Sequence, residues 1–190
     1  MEFWIGLAVV AGITLYIITI YNKLVALKNR VANAFAQIDV QLQRRYDLIP
    51  NLVETAKSYM AHESEVLSAV TQARAGAIEA QNGADEDNIS ALQAAESSLQ
   101  QSLLNFNAVA ENYPELKADT TMLELMEELT STENKVGFAR QAFNDAAMAL
   151  NIYRESFPNS LIAGGFNFKE AQMWQAESEQ VRVAPKVSFS

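Results

Sequence analysis

The chain contains no cysteine and a single histidine, His62. Without cysteine there is no disulfide framework, no thiolate nucleophile and no cysteine zinc site. A hydrolase triad, a histidine zinc site or a Glu-x-x-His di-metal bundle would each have to use that one imidazole, and Tyr59, not Glu, stands three residues before it. Glycine and proline are scarce too, 7 and 4 in 190 residues. So little turn punctuation argues against many short strands and for a few long helices. Basic residues are outnumbered, 14 Lys and Arg against 23 Asp and Glu, for a net charge of -9. A surface of that sign repels phosphate backbones, so nucleic acid is not an expected partner.

What is present is hydrophobic, 49% of the residues, enough for one buried core plus an anchor. From Phe3 to Tyr21 the chain reads FWIGLAVVAGITLYIITIY with no charge, and about 20 such residues cross a bilayer core. Phe3 and Trp4 at one end and Tyr21 at the other sit where aromatic rings favour the lipid–water interface. A cleaved signal peptide would have a basic start, a shorter apolar run and small residues before the cut. Here Glu2 precedes the run and Ile17, Ile18 and Ile20 end it, so residues 1–22 are expected to be a lasting anchor contacting lipid through 3–21. Ala8 and Gly12 form a small-xxx-small pair, the spacing at which anchors can touch, though one pair carries little. Lys23, Lys28 and Arg30 follow the span while only Glu2 and the amino terminus precede it. The positive-inside rule then places the short N-terminus outside and the bulk in the cytoplasm.

Beyond the anchor, Leu24, Leu27, Val31, Phe35, Ile38 and Leu42 recur at helical steps with no Gly or Pro from Tyr21 to Ile49. A helix continuing from the anchor is expected, with a break at Asp47 to Pro50, where Asp47 would cap a new helix and Pro50 would lie in its first turn. That second helix would carry Leu52, Ala56, Tyr59, Val66, Val70, Ala73 and Ala77 and end at Asn82-Gly83. The acidic run Asp85, Glu86, Asp87 suits the positive end of a third helix, with Ile89, Leu92, Leu99, Leu103, Phe106 and Val109 on one face. Tyr113-Pro114 marks the next break. Thr121 and Glu124 have capping-box spacing and open the most regular segment, with Met122, Leu125, Leu129, Val136, Ala139, Phe143, Ala146, Leu150, Tyr153 and Phe157 in an a/d-like register. At 1.5 Å per residue that helix is roughly 55 Å long.

These features predict an all-α fold in which an N-terminal transmembrane helix (1–22) continues into an antiparallel long-helix bundle (23–158). A tail (159–190) follows, with a short helix expected from Lys169 to Glu179 and an extended end from Val181 to Ser190. Exposed Phe166, Phe168, Trp174 and Phe189 would be an aggregation liability, so the tail is expected to dock on its own bundle or, as the alternative, on a partner.

The stretch Tyr21 to Glu63, YNKLVALKNRVANAFAQIDVQLQRRYDLIPNLVETAKSYMAHE, closely resembles the LemA family of bacterial membrane proteins. So do ENYPELKAD (Glu111 to Asp119), STENKVGFARQAFNDA (Ser131 to Ala146), FPNSLIAGGF (Phe157 to Phe166) and the terminal APKVSF. Two positions depart from the pattern: Tyr46 stands where many relatives have His, and Ala149-Leu150-Asn151 where many have a Tyr-Asn pair, which weakens any catalytic reading of either. The resemblance implies an N-terminal membrane helix with a short outside terminus, a cytoplasmic helical bundle at the bacterial inner membrane, and no established molecular activity. It also implies kinship with proteins that help build internal membrane compartments in magnetic bacteria, and with others encoded beside a membrane zinc metalloprotease.

Among polar residues the densest block is Arg44, Arg45, Asp47, Pro50, Asn51 and Glu54, expected to cap and pair at a helix junction. A second set, Thr132, Glu133, Asn134, Arg140 and Asn144, lies in the long helix, with Thr132 in the apolar register, where a polar group fixes helix pairing. Glu133 or Asn134 is expected to meet Arg44 or Arg45. Tyr113 and Pro114 complete the candidate interaction residues. Glu124, Glu127 and Glu128 read as a solvated face, and His62-Glu63 lacks the second His of a zincin motif. No catalytic, cofactor or metal residue is therefore expected. The reading that follows is a membrane-tethered scaffold or adaptor that associates with itself or with other inner-membrane proteins. The alternatives are a membrane-remodelling oligomer and, third, a regulatory subunit of a membrane protease complex.

Overall fold

The computed structural model describes residues 1–175. Among these the chain is all-α, with six helices: α1 (Glu2–Lys57), α2 (Ser64–Asn82), α3 (Ser90–Ala110), α4 (Pro114–Ala118), α5 (Thr120–Glu155) and α6 (Asn159–Gly165). The apolar run and the first bundle helix are a single helix of 56 residues. Residues 2–19 are exposed but for the half-buried Ile17, and Ile20 is the first to be buried, followed by Leu24, Leu27, Val31, Phe35, Ile38 and Leu42. The core thus begins where the apolar run ends.

Contacts fix the directions of the helices. Along α1 and α5, Phe35 meets Phe143, Arg44 meets Glu128 and Tyr59 meets Asp119, so the two run antiparallel. Arg74 and Gln81 of α2 reach back to Tyr46 and Asp39 of α1, which makes that pair antiparallel as well. Short connections then return the chain through α3 and α4 to α5. The result is an up-down-up-down bundle around Leu52, Val70, Leu92, Leu99, Phe106, Leu129, Val136 and Phe143.

Two expected helix boundaries are overturned. No break occurs at Asp47 to Pro50; α1 passes through Pro50 and ends at Lys57. Proline lacks the N–H that would bond the Tyr46 carbonyl one turn earlier, a loss of about 3 kcal/mol or more in an ordinary helix. Here Arg74 Nε of α2 donates to that carbonyl at 2.7 Å, and Tyr46, Ile49, Leu52 and Val53 are buried around the site. Asp47 caps nothing: it is exposed and accepts from Gln43 one turn back. The turn instead falls at 58–63, where the Tyr59 and Met60 N–H groups both bond the Ala56 carbonyl. The second correction concerns the long helix, which is capped by Asp119, whose Oδ1 accepts from the Met122 N–H at 2.9 Å, not by a Thr121/Glu124 box. A carboxylate one residue before the helix satisfies an orphan N–H and the helix dipole together.

The tail differs as well. It opens with a short helix, α6, that Gly164 and Gly165 close. Lys169–Gln175 is not helical, and the remainder of the expected tail helix, the extended end and Phe189 lie outside the described residues.

Candidate functional site

The bundle holds one buried charged cluster. Glu96 of α3 is fully buried, and three donors converge on its carboxylate: Arg45 Nη1 at 3.3 Å and Arg140 Nη2 at 3.2 Å to Oε2, and the Tyr46 hydroxyl at 2.5 Å to Oε1. Arg45 and Tyr46 come from α1 and Arg140 from α5, so one carboxylate ties three helices. The Arg140 guanidinium also lies 4.4 Å over the Trp174 ring, a cation–π contact. Burial, reinforced by the Glu96 charge and hydrogen bond, pushes the Tyr46 phenol well above the ordinary tyrosine range. It therefore stays a neutral donor. A cleft of about 70 Å³ beside Arg45 is bordered by Gln100, Thr130 and Glu133.

The expected pairing of Glu133 or Asn134 with Arg44 or Arg45 is not what forms. Arg44 pairs with Glu128 at 3.0 Å on the surface and Arg45 with Glu96, while Glu133 and Asn134 are exposed. Glu133 borders the same cleft as Arg45 without being its partner. The reason is register: α5 turns Thr132 and Val136 inward, which leaves 133 and 134 on the outside. Thr132 is buried as its position in the stripe implies, but its hydroxyl bonds its own helix at the Leu129 carbonyl. Of the first block, Asn51, Pro50 and Glu54 are exposed, and Glu54 pairs with Lys57. Pro114 opens α4. The Tyr113 hydroxyl donates to Glu63 at 3.0 Å and that of Tyr59 to Asp119 at 3.0 Å. These hydrogen bonds raise both phenol pKa values.

The described part of the tail docks on its own bundle. Asn144 Nδ2 donates to the Trp174 carbonyl while its Oδ1 accepts from the Trp174 N–H, and Asn151 does the same with Ala171. Two asparagines seven residues apart on α5 thus grip an extended segment as a neighbouring strand would. Tyr21, at the end of the apolar run, meets Phe166 at 4.9 Å and Phe168 at 5.7 Å between ring centroids.

Sequence reasoning singled out Arg45 and Arg140 as candidates, noted Tyr46 only as a departure from the family pattern, and missed Glu96 and Arg74. Glu96 had a signal, for it stands in the stripe Leu92, Glu96, Leu99, Leu103, Phe106, where a core residue is due. Arg74 had none, since its task depends on a helix passing through Pro50. Among the described residues no three carboxylate or imidazole side chains converge as a metal set would. Phe3, Trp4 and Gly12 all lie in the exposed stretch of α1, which is long and apolar enough to cross a membrane.

Residues 34–189 match the LemA family. The chain is 26% identical over 175 residues to the magnetosome proteins MamQ 1 and MamQ 2 of Paramagnetospirillum magneticum, an alignment covering 82% of this chain and 64% of each relative. It is also 26% identical over 163 residues to protein LemA of Metamycoplasma hominis, covering 85% and 72%. The chain spans just under two thirds of the length of those MamQ relatives. With a match running from the middle of α1 through the bundle and its docked tail, the chain belongs to the LemA family.

Proposed function

We propose that this protein is a membrane-anchored helical scaffold or adaptor without catalytic activity of its own. The observation that carries the reading is the continuity of α1, whose residues 3–19 are uncharged, mostly apolar and exposed but for the half-buried Ile17, and whose remainder is the central helix of the bundle. Such a helix exposed to water would be insoluble, and a bilayer satisfies it. The buried charges support the same reading, because Glu96 spends its acceptor capacity on Arg45, Arg140 and Tyr46 and so on holding helices together. Lys23, Lys28 and Arg30 favour a bacterial inner membrane with the bundle on the cytoplasmic side. On the outer face of α5, Phe138, Met148 and Ile152 are exposed within one angular sector, a surface suited to another copy or another membrane protein. Confinement to two dimensions strengthens weak contacts of that kind. Likeness to magnetosome proteins favours a second reading, an oligomer that reshapes the bilayer.

The test is crosslinking in intact cells followed by blue-native electrophoresis and mass spectrometry. A ladder of the chain with itself is expected for a scaffold; a discrete complex with a different membrane protein makes it an adaptor. Monomer alone overturns both readings.

A further inference from the structure

No charged residue lies between Glu155 and Lys169, although 19% of the chain is Asp, Glu, Lys or Arg. That uncharged stretch is the corner formed by the end of α5, Pro158 and α6. It is also unusually bare: Phe157, Leu161 and Phe166 are 82%, 67% and 57% exposed. In α6 the buried positions are Asn159 and Ala163, one turn apart, so Leu161 lies on the opposite face with Ser160, Gly164 and Gly165. The space beside both glycines is open, which leaves that face smooth, apolar and without charge.

Its height on the molecule is fixed by the antiparallel pairing. As α1 is followed back toward its N-terminus, α5 is followed toward its C-terminus, and Phe166 and Phe168 arrive against Tyr21. Tyr21 ends the apolar run. The corner therefore sits at the level where α1 would leave the hydrocarbon, with Lys23, Lys28 and Lys169 close by in sequence or space, and Glu86 and Asp87 lining the same pocket as Lys28, Phe166 and Lys169. Aromatic rings with lysines beside them are the side chains that suit the headgroup region.

We propose that the α5–α6 corner is a second membrane contact, seated in the interfacial region of the bilayer beside the anchor through Phe157, Leu161 and Phe166. The surface is continuous with the apolar helix through the Tyr21 and Phe166 rings, and this continuity selects lipid as its occupant. An anchor alone leaves the bundle free to spin about the helix axis; a second contact off that axis fixes which face meets the lipid. The inference rests on the reading of α1 as a membrane span.

The chain has no cysteine, so one introduced thiol carries one nitroxide. Full-length Leu161→Cys, Val10→Cys and His62→Cys, each reconstituted in phosphatidylethanolamine–phosphatidylglycerol vesicles, are compared by spin-label accessibility to oxygen and to a water-soluble nickel chelate. The expected order places Val10→Cys deep, Leu161→Cys oxygen-accessible and shielded from nickel at interfacial depth, and His62→Cys in water. If Leu161→Cys behaves as His62→Cys while Val10→Cys is deep, the anchor stands and the corner contact is overturned. If Leu161→Cys is shielded from both reagents, protein covers the corner and lipid does not. Nickel access at Val10→Cys overturns the span and this inference with it.

Discussion

Glu96 accepts from Arg45 and Tyr46 of α1 and from Arg140 of α5, so its loss is felt on three helices. Removing the carboxylate in Glu96→Ala leaves Arg45 buried with no counter-charge, a change of about 3–5 kcal/mol for broken buried pairs. Glu133→Ala and Asn134→Ala, on the exposed side of α5, are expected within about 0.5 kcal/mol of the natural chain. Urea unfolding of the detergent-solubilised protein separates the two cases. Tyr46→Phe deletes the 2.5 Å donor to Glu96, and a hydrogen bond to a charged group contributes about 1.5–3 kcal/mol. Because the Tyr46 pKa is raised in the fold, its contribution is fully present below about pH 10, where an unfolded tyrosine titrates, and is lost as pH rises beyond that. Stability of the natural chain is therefore expected to fall above pH 10, and to fall less steeply in Tyr46→Phe. Some slope remains, since Tyr59 and Tyr113 shift in the same direction. A pH series of the same unfolding curves decides it.

At the scale of elements, α3 and α5 were legible because their apolar stripes follow a helical period with no proline inside and, in α5, a single glycine, Gly137. The run through Pro50 was not, because the group that replaces the missing N–H comes from another helix. Local sequence cannot announce a carbonyl bonded by Arg74 from 28 residues away. The same reasoning explains the misplaced partners: for Arg44 the right pair of helices, α1 and α5, was named and only the register differed, while Arg45 pairs with Glu96 of α3, a helix that the expectation did not include. Arg74→Ala is expected to leave the Tyr46 carbonyl unsatisfied at about 1–3 kcal/mol. In a Pro50→Ala background the helix regains its own N–H donor, so the Arg74→Ala loss should shrink. A double-mutant cycle that shows simple additivity rejects the compensation. The tail clamp is testable separately. Asn144→Ala and Asn151→Ala each remove a paired contact, and faster amide exchange at Trp174 and Ala171 respectively is expected, with exchange in α1 unchanged.

For the whole molecule the decisive feature is that anchor and bundle share one helix. From Tyr21 to Lys57 α1 rises roughly 55 Å at about 1.5 Å per residue, which sets the turn at 58–63 that far from the level where α1 leaves the lipid. Nothing in α1 between those points supplies a hinge, since Pro50 is bridged by Arg74. Electrostatics agree, because an acidic chain of net charge -9 is repelled by an anionic leaflet while Lys23, Lys28 and Arg30 are attracted to it. The bundle should therefore stand upright. A fluorophore on His62→Cys, with acceptor lipids in the vesicle, is expected to show little energy transfer. A Gly-Gly-Ser insertion between Asn22 and Lys23 breaks the shared helix at the edge of the core, parting Ile20 and Tyr21 from the buried run that continues at Leu24. Transfer should then rise and its distribution broaden as the bundle tips. Equal transfer from the two proteins would mean that α1 does not set the height of the bundle. High transfer from the uninterrupted chain would place the acidic bundle against the membrane and overturn the upright stance.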